Sequence, residues 1–279
     1  MKNNNSEPQY ISSPINNPMI NYKVYIPSAA ENIIARIVMI IVGGIVGLIF
    51  FSGLFMVDGE PTMATRISDT VVFIAVGLVA MKAFAPIWFK RRHEKRNAVL
   101  RGQFRDMLDA LAASLSSGSN PAEAFHSAYR DCCMQYGENS YIAKELKEII
   151  AGAAQNVSYS EMLTSFAERS GNEDIESFAG VFEICMRKGA DLKTVIRRTH
   201  GIISDKMAVN DEIATKLASN KMQNDVMSVM PIGIIAMLRF TNPSFAESFA
   251  SPLGVIVNII AIGIFVGSYI LGQKIMDIK

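Results

Sequence analysis

The chain has 279 residues, half of them apolar and only 19% charged, against about 25% charged in an ordinary soluble chain. Its mean hydropathy is +0.23, so most of its length must bury apolar side chain, which excludes disorder for all but the ends. Lys and Arg total 27 against 26 Asp and Glu, a net charge of +1, and this excludes a nucleic-acid surface built on bulk charge.

Residues 1–30 are polar and rich in Asn, Ser and Pro, and read as a disordered N-terminal tail rather than a cleaved signal peptide. Ser28 with Glu31, just after Pro27, reads as a capping box opening a first membrane helix. Residues 37–57 carry no charge and reach the roughly 20 residues needed to cross a bilayer. Residues 71–89 form a second apolar run, interrupted only by Lys82. Its ten Val, Ile, Leu and Phe, at about −0.3 to −0.6 kcal/mol each, outweigh about +3 kcal/mol for one lysine. That lysine snorkels towards the nearer interface. Residues 226–238 are a shorter run holding Pro231, and 253–271 are again charge-free. The pattern predicts two transmembrane hairpins, 31–89 (spans 33–57 and 71–89) and 226–279 (spans 226–243 and 253–272), with a re-entrant or interfacial segment as the alternative for the short run at 226–238.

Lys90, Arg91, Arg92, Lys95 and Arg96 follow the second span directly and read as topology anchors on the cytoplasmic side. They would meet anionic lipid head groups, with His93 solvated among them. The loop 58–70 holds one basic residue, Arg66, and the loop 241–252 holds none, so both would lie outside. A multi-pass protein of the cytoplasmic membrane follows, with both termini and residues 90–225 in the cytoplasm.

Residues 90–225 contain 19 Lys and Arg and 19 Asp and Glu, a balanced, soluble composition with helical periodicity. Leu100, Phe104, Leu108, Leu111 and Leu115 share one helix face that stops at Gly118, a C-cap signal. Ile196, Thr199, Ile203, Met207, Ile213, Ala214 and Leu217 trace another stripe towards the third span. Helices are predicted between them at 121–136, 140–154, 158–170 and 173–187, the last two ending at Gly171 and Gly189. The fold class is therefore all-α, a polytopic membrane protein with about four transmembrane helices and a cytoplasmic bundle of about six. A recurrence supports the bundle: Gly118, Asn156 and Gly189 each precede an N-cap residue, Asn120, Ser158 and Asp191. Glu123 and Glu161 sit three positions after their caps and complete capping boxes.

The chemistry of a site is missing. There is no Gly-x-x-x-x-Gly-Lys-Ser/Thr loop, no His-Glu-x-x-His and no Gly-x-Ser-x-Gly. His126 and His200 fall in helical stretches and need no catalytic role. Asp106 with Asp109, and Glu173 with Asp174 and Glu176, have the composition for a divalent cation. The second group, however, opens a helix, where acids complement the dipole. Cys132, Cys133 and Cys185 make no disulfide framework and lack metal-ligand spacing; they read as reduced thiols. No catalytic, metal or cofactor residues are assigned.

Gln103-x-x-Asp106-x-Leu108-Asp109-x-Leu111-Ala112-x-x-Leu115-x-x-Gly118 resembles the opening of the type II secretion system F family domain, in its Tad/Flp-pilus branch (TadB/TadC-like, closer to TadB-like). Arg187-Lys188-Gly189-Ala190-Asp191-Leu192 is similar to that family's Gly-Gly-x-Leu element, and Met230-Pro231 to its Leu-Pro in the third span. Asn242-Pro243, Pro252-Leu253-Gly254 and Leu271-Gly272 resemble its outer loop, last span and C-terminal end. Arg105 stands where Pro is usual, and Ala190 replaces the second Gly of its turn. The resemblance implies a non-enzymatic platform protein of a pilus or secretion machine. Its implied partners are a hexameric secretion ATPase (TadA/CpaF-like), a paralogous TadC-like platform protein or a second copy, pilin subunits and membrane lipid, with no cofactor. The turns at Gly118–Asn120 and Arg187–Asp191 are the candidate partner-binding points, with Asn120, Arg187, Lys188 and Asp191 as their residues. A transporter subunit is the alternative class, supported only by Lys82 within a span and Arg36 and Arg239 at span margins. A membrane-embedded enzyme is disfavoured by the missing active site.

Overall fold

A computed structural model describes residues 8–53, 62–188, 192–242, 244–245, 248 and 251–276. Helices dominate, as the periodicity predicts. The strands among the described residues are β1 (Tyr10–Ser12) and β2 (Pro18–Ile20), paired antiparallel with Tyr10 opposite Ile20. The chain divides into two compact units, Met1–Ile26 with Phe89–Asn210, and Pro27–Trp88 with Asp211–Lys279. Two helices run through both: α2 (Met63–Ser116), with Pro86 inside it, and α7 (Leu192–Thr241), with Pro231 inside it.

The first unit is built from the second half of α2, α3 (Pro121–Tyr136), α4 (Tyr141–Ala154), α5 (Tyr159–Ser170), α6 (Glu173–Lys188) and the first part of α7. These match the predicted bundle helices to within a residue at either end, because the stripes and caps were both present in sequence. Leu100, Phe104, Leu108, Leu111 and Leu115 are all buried, and Met107 joins them. The core is an aromatic network: Phe104 meets Phe166 and Phe178 edge-on, at centroid distances of 6.4 and 5.7 Å. Phe125 stacks on Tyr159 at 4.8 Å and meets Phe182 at 5.9 Å. Such pairs add about 0.5–1.5 kcal/mol each beyond their buried area. The predicted α7 stripe divides: Ile196 and Ile203 are buried in this core, whereas Ile213 is exposed. The reason is that α7 leaves the first unit after Asn210.

Residues 8–26 depart from the expected disordered tail. They form the β1–β2 hairpin, whose turn holds Asn16 at φ +60°, and place Tyr22 fully buried in the bundle core. Their polar composition serves hydrogen bonding to the bundle rather than hydration. Ser13 Oγ donates to Glu148 at 2.5 Å and Asn17 Nδ2 donates to the same carboxylate at 3.0 Å. The Tyr22 amide donates to the Arg169 carbonyl at 2.8 Å.

In the second unit, α1 (Ala29–Phe51) packs against the first half of α2 through glycine. A Cβ on Gly43 would fall 2.5 Å from Ala80 Cβ, one on Gly44 2.4 Å from the Phe73 ring, and one on Gly77 2.7 Å from the Ile40 carbonyl. Small residues that let helix backbones approach are the usual contact of membrane helices. Gly44→Leu is therefore expected to force the hairpin apart and to destabilise it by about 1–3 kcal/mol or more, seen as a lower melting temperature in detergent. The same change at Gly263, which has open space around it, should leave that temperature unchanged. Ser28 is the N-cap of α1, but its side chain makes no cap hydrogen bond. The Ser28 half of the expected Ser28–Glu31 box is therefore not formed.

The last helix, α8 (Pro252–Met276), and the end of α7 complete this unit around the C-terminus of α1. A helix end leaves its last carbonyls without intrahelical donors. Here Arg239 of α7 donates to the carbonyls of Ile49 (2.7 Å) and Ser52. The buried Asn258 of α8 donates to that of Phe50 at 3.2 Å. Asp69 of α2 accepts from the Gly53 amide at 3.1 Å. One polar node thus joins α1, α2, α7 and α8. Only α1 and α2 meet both the length and the apolar composition for a membrane crossing among the described residues, and α8 contributes a shorter apolar stretch, Leu253–Tyr269.

Candidate partner-facing site

Of the two turns singled out in sequence, Gly118–Asn120 lies wholly within the described residues of the first unit. Helix α2 stops at Ser116, and the amides of Ser117, Gly118 and Ser119 fold back onto the carbonyls of Ala113, Leu115 and Ser114 at 3.1–3.3 Å. That reversal needs the left-handed backbone that Gly118 adopts, φ +96°. Asn120 then caps α3, its side chain accepting from the Glu123 amide at 2.9 Å, with Pro121 as the first helical residue. Ser158 caps α5 in the same way through the Glu161 amide at 3.1 Å.

The start of α7 closes on this turn. Lys193 Nζ donates to the Ser116 carbonyl and Arg197 donates to Ser116 Oγ, both at 2.7 Å. Cations at the C-terminal end of α2 complement its dipole. Arg187 and Lys188 end α6 and are exposed, with Arg187 paired at 3.9 Å with Glu183 on the preceding turn. Asp191, together with Gly189 and Ala190, lies outside the described residues. Arg187 and Lys188 at the end of α6, and Lys193, Arg197 and Arg198 at the start of α7, are all exposed. Sequence reasoning missed the last three, although their charge beside the Gly189 turn was the available signal.

Asn120 carries a stabilising role in this geometry. Asn120→Ala is expected to cost about 1 kcal/mol through the lost cap, read as a small fall in melting temperature, while Asn120→Ser should restore it.

A buried ionic cluster was also missed. Arg169 of α5 makes a bidentate pair with Glu145 of α4 at 2.8 and 2.6 Å, and Tyr22 Oη donates to the same carboxylate at 3.0 Å. Burial pushes the Glu145 carboxyl above the ordinary carboxylate range, although Arg169 and Tyr22 pull the other way. Burial alone would lower Arg169, but its bonds to Glu145 outweigh that and hold it raised. Tyr22 is also raised, by burial first and by Glu145 second. The sequence signal was Glu145 itself, three residues after Ile142 and four before Ile149, on the apolar stripe of α4.

The basic run on α2 divides in two. Lys90, Arg91, Arg92 and Lys95 are exposed, Lys90 paired with Glu94 at 3.7 Å. Arg96 instead donates to the Tyr22 and Val24 carbonyls at 2.9 Å and lies over the Tyr22 and Tyr25 rings. His93, expected to be solvated, contacts the same Tyr22 carbonyl at 2.8 Å. Both are committed to the N-terminal segment, because a guanidinium and an imidazole satisfy carbonyls that the hairpin leaves unpaired.

The acidic pairs are likewise occupied. Asp106 accepts from Tyr136, Gln135 and Arg105, and Asp174 pairs with Lys206 at 2.7 Å. Asp109 meets His200, which also meets Ser204 at 2.8 Å. Both contacts use the same ring nitrogen, so the trio lacks the two-nitrogen relay of a nucleophilic triad. Cys132 is buried and its thiol is pushed up to about 12 by that burial, which keeps it from acting as a thiolate. Among the described residues no group of three or more His, Cys, Asp and Glu side chains is placed to hold a metal ion.

Among the described residues, two helices are long and apolar enough to cross a membrane. Residues 107–239 match the family model for the type II secretion system (T2SS), protein F. The match supports the T2SS F family, whose domain is found in membrane platform components of secretion and pilus systems, which are not enzymes. No curated protein and no solved structure matches the chain.

Proposed function

We propose that this protein is a non-enzymatic platform of the cytoplasmic membrane in a Tad/Flp-type pilus assembly or type II-like secretion machine. It couples a cytoplasmic hexameric secretion ATPase to the extraction of pilin subunits from the bilayer. The observation that carries this reading is the family match over 107–239, which takes in α3–α6 and nearly the whole of α7. In this reading α7, a helix of 50 residues, carries motion of the bundle towards its own apolar end. The Tad/Flp branch rests on the resemblance of the 103–118 and 187–192 motifs.

Four membrane spans, with both termini inside, make up the proposed topology. It is supported by the node around Ser52, which joins the end of α1, the start of α2, the end of α7 and the start of α8. Four antiparallel spans would bring those ends together on the outer side. The exposed Lys90, Arg91, Arg92 and Lys95 are the cytoplasmic anchors of that topology. The node also weakens the transporter alternative, because Arg239 is committed to backbone carbonyls instead of facing a path.

The exposed basic residues at the end of α6 and the start of α7 are the proposed ATPase or platform-partner contact, recognising an acidic face by charge. Photoreactive residues placed in cells at positions 188 and 193, with Met134 on α3 as an exposed control, test this. Capture of a secretion ATPase or a second platform protein from 188 or 193 and not from 134 is expected. Capture of the ATPase from 134 alone would move the contact off this end, and capture from no bundle position would overturn the platform reading.

A further inference from the structure

The C-terminal carbonyls of α1 draw most of their donors from the other hairpin. Leu48 keeps the backbone amide of Ser52 at 2.9 Å. Ile49 and Ser52 take the two arms of the Arg239 guanidinium, and Phe50 takes the amide of the buried Asn258 at 3.2 Å. An isolated helix end lacks such donors, and at membrane depth no water replaces a missing bond.

Helix α7 brings the complementary problem. Its charge-free run, residues 226–238, is 13 residues long, a rise of about 20 Å against about 30 Å of hydrocarbon. The helix continues to Thr241, so a crossing draws in polar residues that flank the run, Asp225 on one side or Arg239 on the other. A guanidinium in lipid pulls towards water, and that pull alone would hold so short a run at the surface. Here the Arg239 guanidinium is half-buried and turns both arms to the α1 carbonyls instead.

We propose that the third span is inserted conditionally: the end of α7 crosses the membrane only when docked on the end of α1. Arg239 is the positioning residue that makes crossing depend on docking. Each side removes the other's penalty, since the carbonyls desolvate the guanidinium and the guanidinium fills the carbonyls. The α1–α2 hairpin must therefore be in place before the second hairpin forms. A lysine carries the same charge to the same depth without the fork that reaches two carbonyls at once. A leucine removes the penalty together with the tie, and extends the apolar run through Phe240. This inference rests on the four-span topology proposed above and deepens it.

Cysteine labelling of the full chain in right-side-out membrane vesicles tests it, with a membrane-impermeant maleimide as the probe. Cys132→Ala, Cys133→Ser and Cys185→Ala first remove the native thiols. Ser244→Cys reports the loop after α7, where that position is exposed, and Met134→Cys, 80% exposed in the first unit, reports the cytoplasmic side. Labelling of Ser244→Cys from outside is expected, and of Met134→Cys only once the membrane is opened. Adding Arg239→Lys should lower the labelled share of Ser244→Cys about threefold or more, the cost of losing a charge-assisted bond. Adding Arg239→Leu should leave that share at its original level, which separates conditional insertion from general misfolding. An unchanged share with lysine, or an equal fall with leucine, would overturn the proposal while leaving the topology standing. No outside labelling of Ser244→Cys with Arg239 intact would overturn the topology and the proposal together. The platform reading is tested separately, by capture at positions 188 and 193.

Discussion

Arg169→Met is expected to lower the stability of the first unit by about 3–5 kcal/mol, the cost of leaving a buried carboxylate without its cation. Glu145 is 1% exposed, and Arg169 supplies two of the three hydrogen bonds its carboxylate receives. The sign of the pH dependence follows. The Glu145 carboxyl is already raised in the folded state, and removing Arg169 raises it further. The folded chain then binds a proton that the unfolded chain has released, so stability falls as pH rises from the ordinary carboxylate range up to the folded value. Below that range both states are protonated and the penalty disappears. Melting temperatures of the full chain in detergent, taken from acid to neutral pH, read this directly. Arg169→Met should lose most stability at neutral pH and least in acid. Glu145→Leu combined with Arg169→Met should recover much of the loss, since an apolar pair of similar volume replaces an ion pair at little cost. A remaining deficit of about 1–3 kcal/mol belongs to the Tyr22 hydroxyl, left without an acceptor, and adding Tyr22→Phe should remove it. A pH-independent loss in the single variant would show that Arg169 acts through packing alone.

The bundle was legible in the sequence because its signals are local. Asn120, Ser158 and Gly171 mark helix ends by their own chemistry, and Leu100 to Leu115 repeat at helical spacing. What sequence could not show is set by contacts between distant positions. Arg239 reads as a charge at the margin of a span until the carbonyls of Ile49 and Ser52, almost 200 positions earlier, lie beside it. Arg96 reads as one more basic anchor until the Tyr22 carbonyl occupies it. Of the candidate partner-facing residues, Arg187, Lys188 and Asn120 were nameable from charge and capping. That the start of α7 meets the end of α2 depends on the reach of Lys193 and Arg197 to Ser116. The N-terminal segment misled for a compositional reason. Asn, Ser and Pro favour solvated coil by default, and only the acids of α4 and the arginine of α5 give those polar groups buried partners.

Tyr22→Ala tests that last point, with an expected loss of about 3–5 kcal/mol, as for removal of a large aromatic from a core. The ring is fully buried and meets Tyr141 and Phe166 edge-on at 5.9 and 6.4 Å. Its hydroxyl serves Glu145, its amide serves the Arg169 carbonyl, and its own carbonyl takes Arg96 and His93. Truncation to alanine keeps the three backbone bonds and loses the ring and the hydroxyl. Tyr22→Phe keeps the ring, so the difference between the two variants isolates packing from the hydrogen bond. Phenylalanine should cost about 1–3 kcal/mol, the penalty for leaving a charged acceptor short of one donor. Limited proteolysis gives a second readout. In the native chain, residues 8–26 should resist cleavage as long as α4 does. In Tyr22→Ala the segment should become cleavable first, because what remains of its attachment is mostly polar and water can replace it. A native chain cleaved in this segment well before α4, with a melting temperature indifferent to Tyr22→Ala, would return these residues to the coil that their composition suggests.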